Sequence, residues 1–381
     1  MASIREHHGK FQVLYRDPVG RQRARSFARK TDAKAFAAAV ETDKRRSEWM
    51  DPRLAKVRFS SFAEEWFATK ADLRPRPRVN VEGRLRNHIL PAFGNWAIGG
   101  IQPSDVRSWI ASLSAKGLAP ATVRAIVLTF GQIIDTAQVD GYVARSPMIG
   151  TKQSLPKEAS HEEMHFLAGP EIQRLAEAIT PRFRVAIYAA GYLGLRDGEL
   201  WATKTANLRD GTLRVDRSLT QVRSRGGLLA GYTEIRPGLV LGPTKTGKVR
   251  SMLVPRFLLD MLDEQLAQFP PTKEGFIFSA ALGGPVWHRN FYGRHFKPAV
   301  AAAGLTDELR FHDLRHSCAA LLIGAGRHIE EVKQYLGHSS IRVTSDRYGH
   351  LFPTAKEAMR EGLDRMFEAS RAPGPEPASE E

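Results

Sequence analysis

Residues 311–350 read FHDLRHSCAALLIGAGRHIEEVKQYLGHSSIRVTSDRYGH, and the rest of the chain is organised around them. The stretch holds a His-x-x-Arg pair at His312 and Arg315, a second histidine at His338 and a tyrosine at Tyr348, strung on short helical and turn segments. Each has an ordinary structural use when taken alone. A tyrosine is commonly half buried, a histidine packs or sits at the surface, and an arginine pairs with an acid or meets a helix C-terminus. As a set they suit phosphate chemistry. Arginine offers a rigid planar fork for phosphate oxygens, where lysine is a more mobile point charge. A free phenol has a pKa of about 10, so positive charge concentrated beside it favours its oxyanion.

Two upstream stretches complete the set. Residues 191–200, GYLGLRDGEL, contain Arg196 and Glu199, and residues 243–255, PTKTGKVRSMLVP, contain Lys245. In this order the three motifs resemble the C-terminal catalytic part of the tyrosine recombinase (phage integrase) family, in which a tyrosine attacks a DNA phosphodiester. The resemblance implies catalytic roles for Arg196, Lys245, His312, Arg315, His338 and Tyr348, with Glu199 supporting Arg196. Tyr348 is then the nucleophile. Arg196 and Arg315 clamp the non-bridging oxygens of the scissile phosphate and stabilise its five-coordinate transition state. His312 and His338 add hydrogen bonds, His312 takes the phenolic proton, and Lys245 protonates the departing 5′-oxygen. Lys248 stands in the same candidate hairpin, and the KTGKVR pattern favours Lys245 over it. The implied product is a 3′-phosphotyrosyl link, which keeps the energy of the phosphodiester; no cofactor, ATP or divalent metal is expected.

Composition agrees with a polyanionic partner. Among 381 residues, 56 Lys and Arg stand against 41 Asp and Glu, a formal net charge of +15. A single cysteine, Cys318, excludes an intrachain disulfide, and its CAALLI context reads as a buried helical thiol. The N-terminus lacks an apolar signal region, and no run approaches the ~18 apolar residues of a membrane span. A cytoplasmic, DNA-associated protein is expected, without a membrane partner.

The organisation outward from the motif is mixed α/β and multidomain. Residues 1–55 read as a small β-sheet plus one helix, resembling the arm-type DNA-binding domain of longer integrases. Phe11, Val13 and Tyr15 alternate with polar residues, residues 17–20 form a turn, and a second strand carries Arg21, Arg23 and Arg25, a basic edge whose arginines are candidate DNA contacts. Thr31 or Asp32 then caps a helix with Ala33, Phe36, Ala37 and Val40 on one side. Residues 56–148 read as an all-helical core-binding domain of four helices. Ser61 and Glu64 form a capping box for the first, LRPRPRVN at 73–80 interrupts, Ser104 caps a third helix and Pro120 starts a fourth. Arg74, Arg76, Arg78, Arg84, Arg86, Arg107 and Arg124 are its candidate phosphate contacts. Residues 149–167 read as a hinge linker. Residues 168–360 read as a mainly helical catalytic domain with a small antiparallel sheet, in which 217–237 is either a loop closing on DNA or a lengthened hairpin. Residues 361–381 read as the end of a helix and a disordered tail.

Two decoys are set aside. Residues 242–248, GPTKTGK, come close to a phosphate-binding P-loop, but Val249 replaces the required Ser or Thr, and MLVP promises a strand where a helix is needed. His312, His316 and His338 do not make a metal set, since Arg315 intervenes and no carboxylate or cysteine set accompanies them. The expected function is site-specific recombination: integration, and with it excision, of a phage genome or another mobile element. The implied partners are duplex attachment sites and further copies of the chain, four to a synapse; the resemblance also admits an excisionase and a DNA-bending host factor. A type IB-like topoisomerase and a non-catalytic architectural DNA-binding protein are the alternatives.

Overall fold

The computed structural model describes residues 2–16, 22–45, 53–157, 164–222, 228–351, 360 and 362–368. The chain divides into two compact units, 1–162 and 163–381.

The first unit opens with an antiparallel sheet of β1 (Ser3–His7), β2 (Lys10–Arg16) and β3 (Gln22–Phe27), in that order. Val13 and Tyr15, two residues apart on the central strand, share one face and bury against Ala33 and Val40 of helix α1 (Lys30–Arg45). Register decides where the arginines go. Arg25 lies opposite Val13 and Arg23 opposite Tyr15, so both belong to the face that carries α1. The Arg25 guanidinium sits 4.8 Å from the centroid of the Phe36 ring. The opposite face carries Arg5, Gln12, Leu14, Ala24 and Ser26, with Arg5 Nε donating to Gln12 Oε1 at 2.8 Å. Arg21 and the expected turn at 17–20 lie outside the described residues.

Helices α2 (Phe59–Ala68), α3 (Pro75–Arg84), α4 (Leu90–Phe93), α5 (Pro103–Ala115) and α6 (Pro120–Val139) enclose a separate core, with Phe59, Ile89, Phe93, Ile110 and Phe130 closed to solvent. Three starts differ from expectation. α2 begins two residues before Ser61, because the Phe59 and Ser60 amides donate to Trp96 O and Gly94 O and need no capping box. The stretch read as an interruption is the first turn of α3: Pro75 occupies the first helical position, where a missing N–H costs nothing. α5 is capped by Gln102, whose amide donates to Asp105 Oδ2 at 2.9 Å, and not by Ser104. The expected linker is also shorter than read. Met148 and Leu155 pack on the helical core, and Arg124 Nε donates to Pro156 O at 3.0 Å. At the other end Leu167 is buried, its amide donating to Ser317 Oγ at 2.8 Å. Between these anchors, 158–163 lie outside the described residues.

The second unit starts with α7 (Gly169–Ala178), α8 (Arg184–Leu193) and α9 (Asp197–Trp201). Strands β4 (Leu208–Arg209), β5 (Thr212–Val215), β6 (Arg217–Gln221), β7 (Thr233–Arg236), β8 (Leu239–Pro243) and β9 (Arg250–Leu253) follow. They make two antiparallel sheets, β4-β5-β9 and β6-β8-β7, where one was expected. The segment 217–237 therefore supplies two flanking strands of the second sheet, while 223–227 lie outside the described residues. Helices α10 (Arg256–Gln268), α11 (His288–Phe291), α12 (Lys297–Ala302), α13 (Asp313–Gly324), α14 (Ile329–Leu336) and α15 (Ile341–Tyr348) complete it. Leu175, Ile187, Leu200, Phe276, Phe296 and Leu314 are fully closed to solvent at its centre, and α13 packs on α8. Residues 360 and 362–368 are helical; the rest of the expected tail lies outside the described residues. Among the described residues no helix is long and apolar enough to cross a membrane.

Candidate active site

Two helix ends organise the site. α8 stops at Gly194 and α14 at Gly337, with φ of 59° and 69° respectively, the left-handed conformation that favours glycine. Both positions are also tight for a side chain: a Cβ at Gly194 would stand 2.5 Å from Leu336 Cδ2, which would have to shift, and one at Gly337 would stand 3.0 Å from Arg250 Cδ, which would have to give by a few tenths of an ångström. The amides of Gly337 and His338 turn back onto Gln334 O and Lys333 O, closing α14 and setting His338 just beyond it. The carbonyls left over at both ends face arginines. Arg315, only 2% exposed, donates through Nη1 to Gly194 O and through Nη2 to Leu336 O. Arg196 donates through Nη2 to Gly337 O at 3.0 Å. One glycine-capped helix end thus orients two guanidinium groups, and the negative end of the helix dipole favours both.

Glu199 ties this pair to a third arginine. It is 2% exposed and accepts from Arg196 Nη1 at 2.8 Å and from Arg250 Nη2 at 2.7 Å. Burial by itself raises the pKa of such a carboxyl, but the Arg250 hydrogen bond and the two positive charges outweigh it and hold Glu199 at about 2. Burial first and then Arg196 push Arg315 down to about 9, still above neutrality, so its charge is kept. The cluster is a concentration of positive charge with one buried counter-charge bonded to it, which is the electrostatics of an anion site.

Tyr348 ends α15 and is completely enclosed. Its ring stacks on His338 with centroids 6.2 Å apart, and meets Phe166 edge-on at 6.4 Å. Its hydroxyl is 2.7 Å from Nδ1 of His316. Burial raises the phenol to about 12, against the opposing pull of Arg315 and Arg347. His338 Nδ1 is 2.9 Å from Thr344 Oγ1, a bond that joins the end of α14 to α15. His312 is exposed at the start of α13, and its ring lies edge-on to His316 with centroids 4.9 Å apart. The surrounding protein and then Arg315 push His312 down to about 4.

The two enclosed histidines have a consequence for stability. Burial, followed by His312 for one and Arg315 for the other, lowers His316 to about 4 and His338 to about 3. Unfolding returns both to about 6.5, so between pH 6.5 and 4 the unfolded chain binds more protons. Stability from this source is complete above pH 6.5 and is lost as pH falls. Glu199 gives nothing up until pH drops below its unfolded value of 4.5. Thermal unfolding followed by circular dichroism is expected to have a lower midpoint at pH 5 than at pH 7; equal midpoints would mean that the rings are not held neutral.

The structure therefore gathers Arg196, Glu199, Arg315, His338 and Tyr348 around the end of α14, with His312 one helical turn before His316. Lys245 is exposed in the turn after β8. That turn is not a simple hairpin, since β8 and β9 belong to different sheets. It closes by Gly247 N to Thr244 O and Thr244 Oγ1 to Lys248 O, and β9 follows directly, leaving no helix for a P-loop to open. Arg250 and His316 were not among the expected site residues. His316 follows His312 at the i+4 spacing that puts both on one helix face, and Arg250 ends the KTGKVR pattern; these were the available signals. Several candidate phosphate contacts of the first unit have partners inside the protein. Arg78 donates to Lys70 O at 2.9 Å, Arg84 to Thr129 Oγ1 at 3.2 Å and Arg124 to Pro156 O, while Arg86 lies 4.0 Å from Glu82. Arg76 and Arg107 are exposed and Arg74 is half-buried.

Known proteins share this architecture. Residues 165–354 match the phage integrase family, and residues 58–114 match the SAM-like N-terminal domain of phage integrases. A XerC-like tyrosine recombinase of Caldanaerobacter subterraneus is 24% identical over 387 residues, covering 95% of this chain and 97% of its own. The ICEBs1 integrase of Bacillus subtilis is 26% identical over 380 residues, covering 94% and 98%. Among solved structures, the Tn1549 transposon integrase in complex with a circular intermediate DNA superposes with a TM-score of 0.67 at 17% identity, covering 81% of this chain and 99% of that one. A lambda integrase tetramer bound to a Holliday junction gives 0.59 at 17% identity, covering 91% and 94%. With the phage integrase family matched over 165–354 and its SAM-like N-terminal domain over 58–114, and relatives aligned over nearly their whole lengths, this chain belongs to the phage integrase family of tyrosine recombinases.

Proposed function

We propose that this protein is a site-specific DNA recombinase that integrates and excises a mobile element through a 3′-phosphotyrosyl intermediate. The observation that carries the reading is the pairing of Arg196 and Arg315 on carbonyls of a single helix end, in a cluster that also holds the Tyr348 phenol. Arg196 and Arg315 hold the non-bridging oxygens of the scissile phosphate, and Tyr348 attacks phosphorus. Glu199 keeps the Arg196 fork in place from behind, and the ring of His338 supports the tyrosine. His312, at the exposed rim, is within reach of a phosphate oxygen approaching from solvent. Lys245, on its exposed turn, protonates the 5′-oxygen as it leaves.

Strand exchange takes place between two duplex attachment sites held by four copies of the chain, in the cytoplasm and on DNA. An excisionase and a DNA-bending host factor are further partners in choosing direction. The residues 1–55 read an arm site, and the arginines of 56–148 contact phosphate, with Arg76, Arg86 and Arg107 among the exposed ones.

The test uses the full chain, labelled DNA taken from both sides of the encoding gene, chelator and no ATP. Joined products that require two partner duplexes are the expected result. Relaxation of a supercoiled plasmid by monomers, without joining, would instead make the protein a type IB-like topoisomerase. Specific binding with neither joining nor a covalent adduct would make it an architectural DNA-binding protein.

A further inference from the structure

Among the described residues, the hydroxyl of the enclosed Tyr348 has one hydrogen-bond partner, Nδ1 of His316 at 2.7 Å. We propose that His316, and not the neighbouring His312, receives the phenolic proton when Tyr348 attacks the phosphate; the proposal rests on the recombinase reading above. The tautomer follows from satisfaction of the buried donor. A phenol has one proton to give, and an enclosed O–H without an acceptor is costly, so it donates to Nδ1 and His316 carries its own proton on Nε2. The ring is a neutral imidazole before the reaction, ready to accept.

The step balances. As the phenolic oxygen's electron pair forms the bond to phosphorus, its O–H bond breaks and the proton passes to Nδ1, leaving an imidazolium. The bond from phosphorus to the 5′-oxygen breaks with its electron pair, and that oxygen takes a proton from Lys245. Before DNA arrives the transfer does not run, because burial first of all holds the imidazole at about 4 and the phenol at about 12. The charge formed on the oxygen must be carried into the phosphate, between Arg196 and Arg315, for the proton to move. The charged and titratable groups around His316 are His312, Asp313 and Arg310 at the start of its own helix, and Arg347, Tyr348 and His338 from the chain packed against it. His312 is exposed and makes no described hydrogen bond to the phenol.

The experiment compares native protein with His316→Asn, which keeps an acceptor near Nδ1 but cannot hold a proton, and with His316→Gln as a second variant should the first melt early. Lys245→Ala and Tyr348→Phe are run alongside. Nicked duplexes from the DNA flanking the encoding gene are used in two forms, one normal and one with sulfur in place of the 5′-bridging oxygen. A sulfur leaving group departs without a proton, so Lys245→Ala is expected to recover on it. The His316 variants are expected to form adduct about 100-fold more slowly on both substrates, because the phenol must lose its proton in either case. Native protein is expected to slow toward acid pH as the imidazole is protonated, and the His316 variants are expected to lose that fall. Native or faster rates for both His316 variants, with Tyr348→Phe inert, would overturn the proposal and leave the recombinase reading standing. Adduct formed equally by Tyr348→Phe, or none from native protein that binds these duplexes, would overturn that reading itself.

Discussion

Tyr348→Phe is expected to lose covalent attachment to DNA by roughly four orders of magnitude or more, the scale of loss when the nucleophile of a covalent catalyst is removed. The substitution deletes one oxygen. Its ring can still stack on His338 and meet Phe166, so the packing at the end of α15 survives. What it leaves behind is the enclosed Nδ1 of His316, whose lost partner costs about 1–3 kcal/mol. A modest fall in melting temperature, intact DNA binding and no adduct on a denaturing gel are therefore expected together. Adduct at even a tenth of the native level would show that another residue attacks phosphorus. Loss of DNA binding as well would place Tyr348 in recognition and not in the chemistry.

Arg315→Lys should bring the second largest loss, because the position demands a fork. The guanidinium holds Gly194 O with one nitrogen and Leu336 O with the other while 2% exposed. An ammonium is a single point that cannot span both carbonyls and still face a phosphate. One of the two helix ends would keep an unsatisfied buried carbonyl, at a cost of about 1–3 kcal/mol. Relief of repulsion with Arg196 offsets part of this, but it leaves the carbonyl without a donor. The rate of adduct formation is expected to fall about 100- to 1000-fold, the size found when one preorganised donor to a developing charge is removed. Single-turnover adduct formation and a thermal melt, read side by side, check both effects. A lysine variant within about threefold of native rate, at unchanged stability, would mean that the fork is not needed.

Much of this was legible along the chain, and the misses have physical reasons. Pro120 announced α6 and the spacing of Ile172 and Leu175 announced α7, because proline in a first turn and a repeat near 3.6 are local signals. The starts of α2 and α5 were misplaced because distant or alternative groups satisfied the first amides: Trp96 O and Gly94 O for one, Gln102 and Asp105 for the other. Arg23 and Arg25 read as a basic strand edge until pairing with β2 placed them beside Tyr15 and Val13. Strand registers of this kind depend on the partner and not on the strand itself.

The amino-acid sequence by itself determined the chemistry on offer: arginines for an anion, a phenol, histidines, an acid behind one arginine, and the glycines that let α8 and α14 end abruptly. It also determined the family, since motif order and residue type are carried by the chain directly. Only the tertiary structure decided which groups meet. His312 and His316 stand one turn apart on the same helix, and nothing in their spacing says which will touch a phenol 32 residues past the second. That choice belongs to the height at which α15 ends, which is set by the Gly337 turn and the bond from His338 to Thr344. Arg250 entered the site in the same way. It comes off a strand of one sheet to meet Glu199 across 51 residues, and a buried acid takes whichever guanidinium the packing delivers.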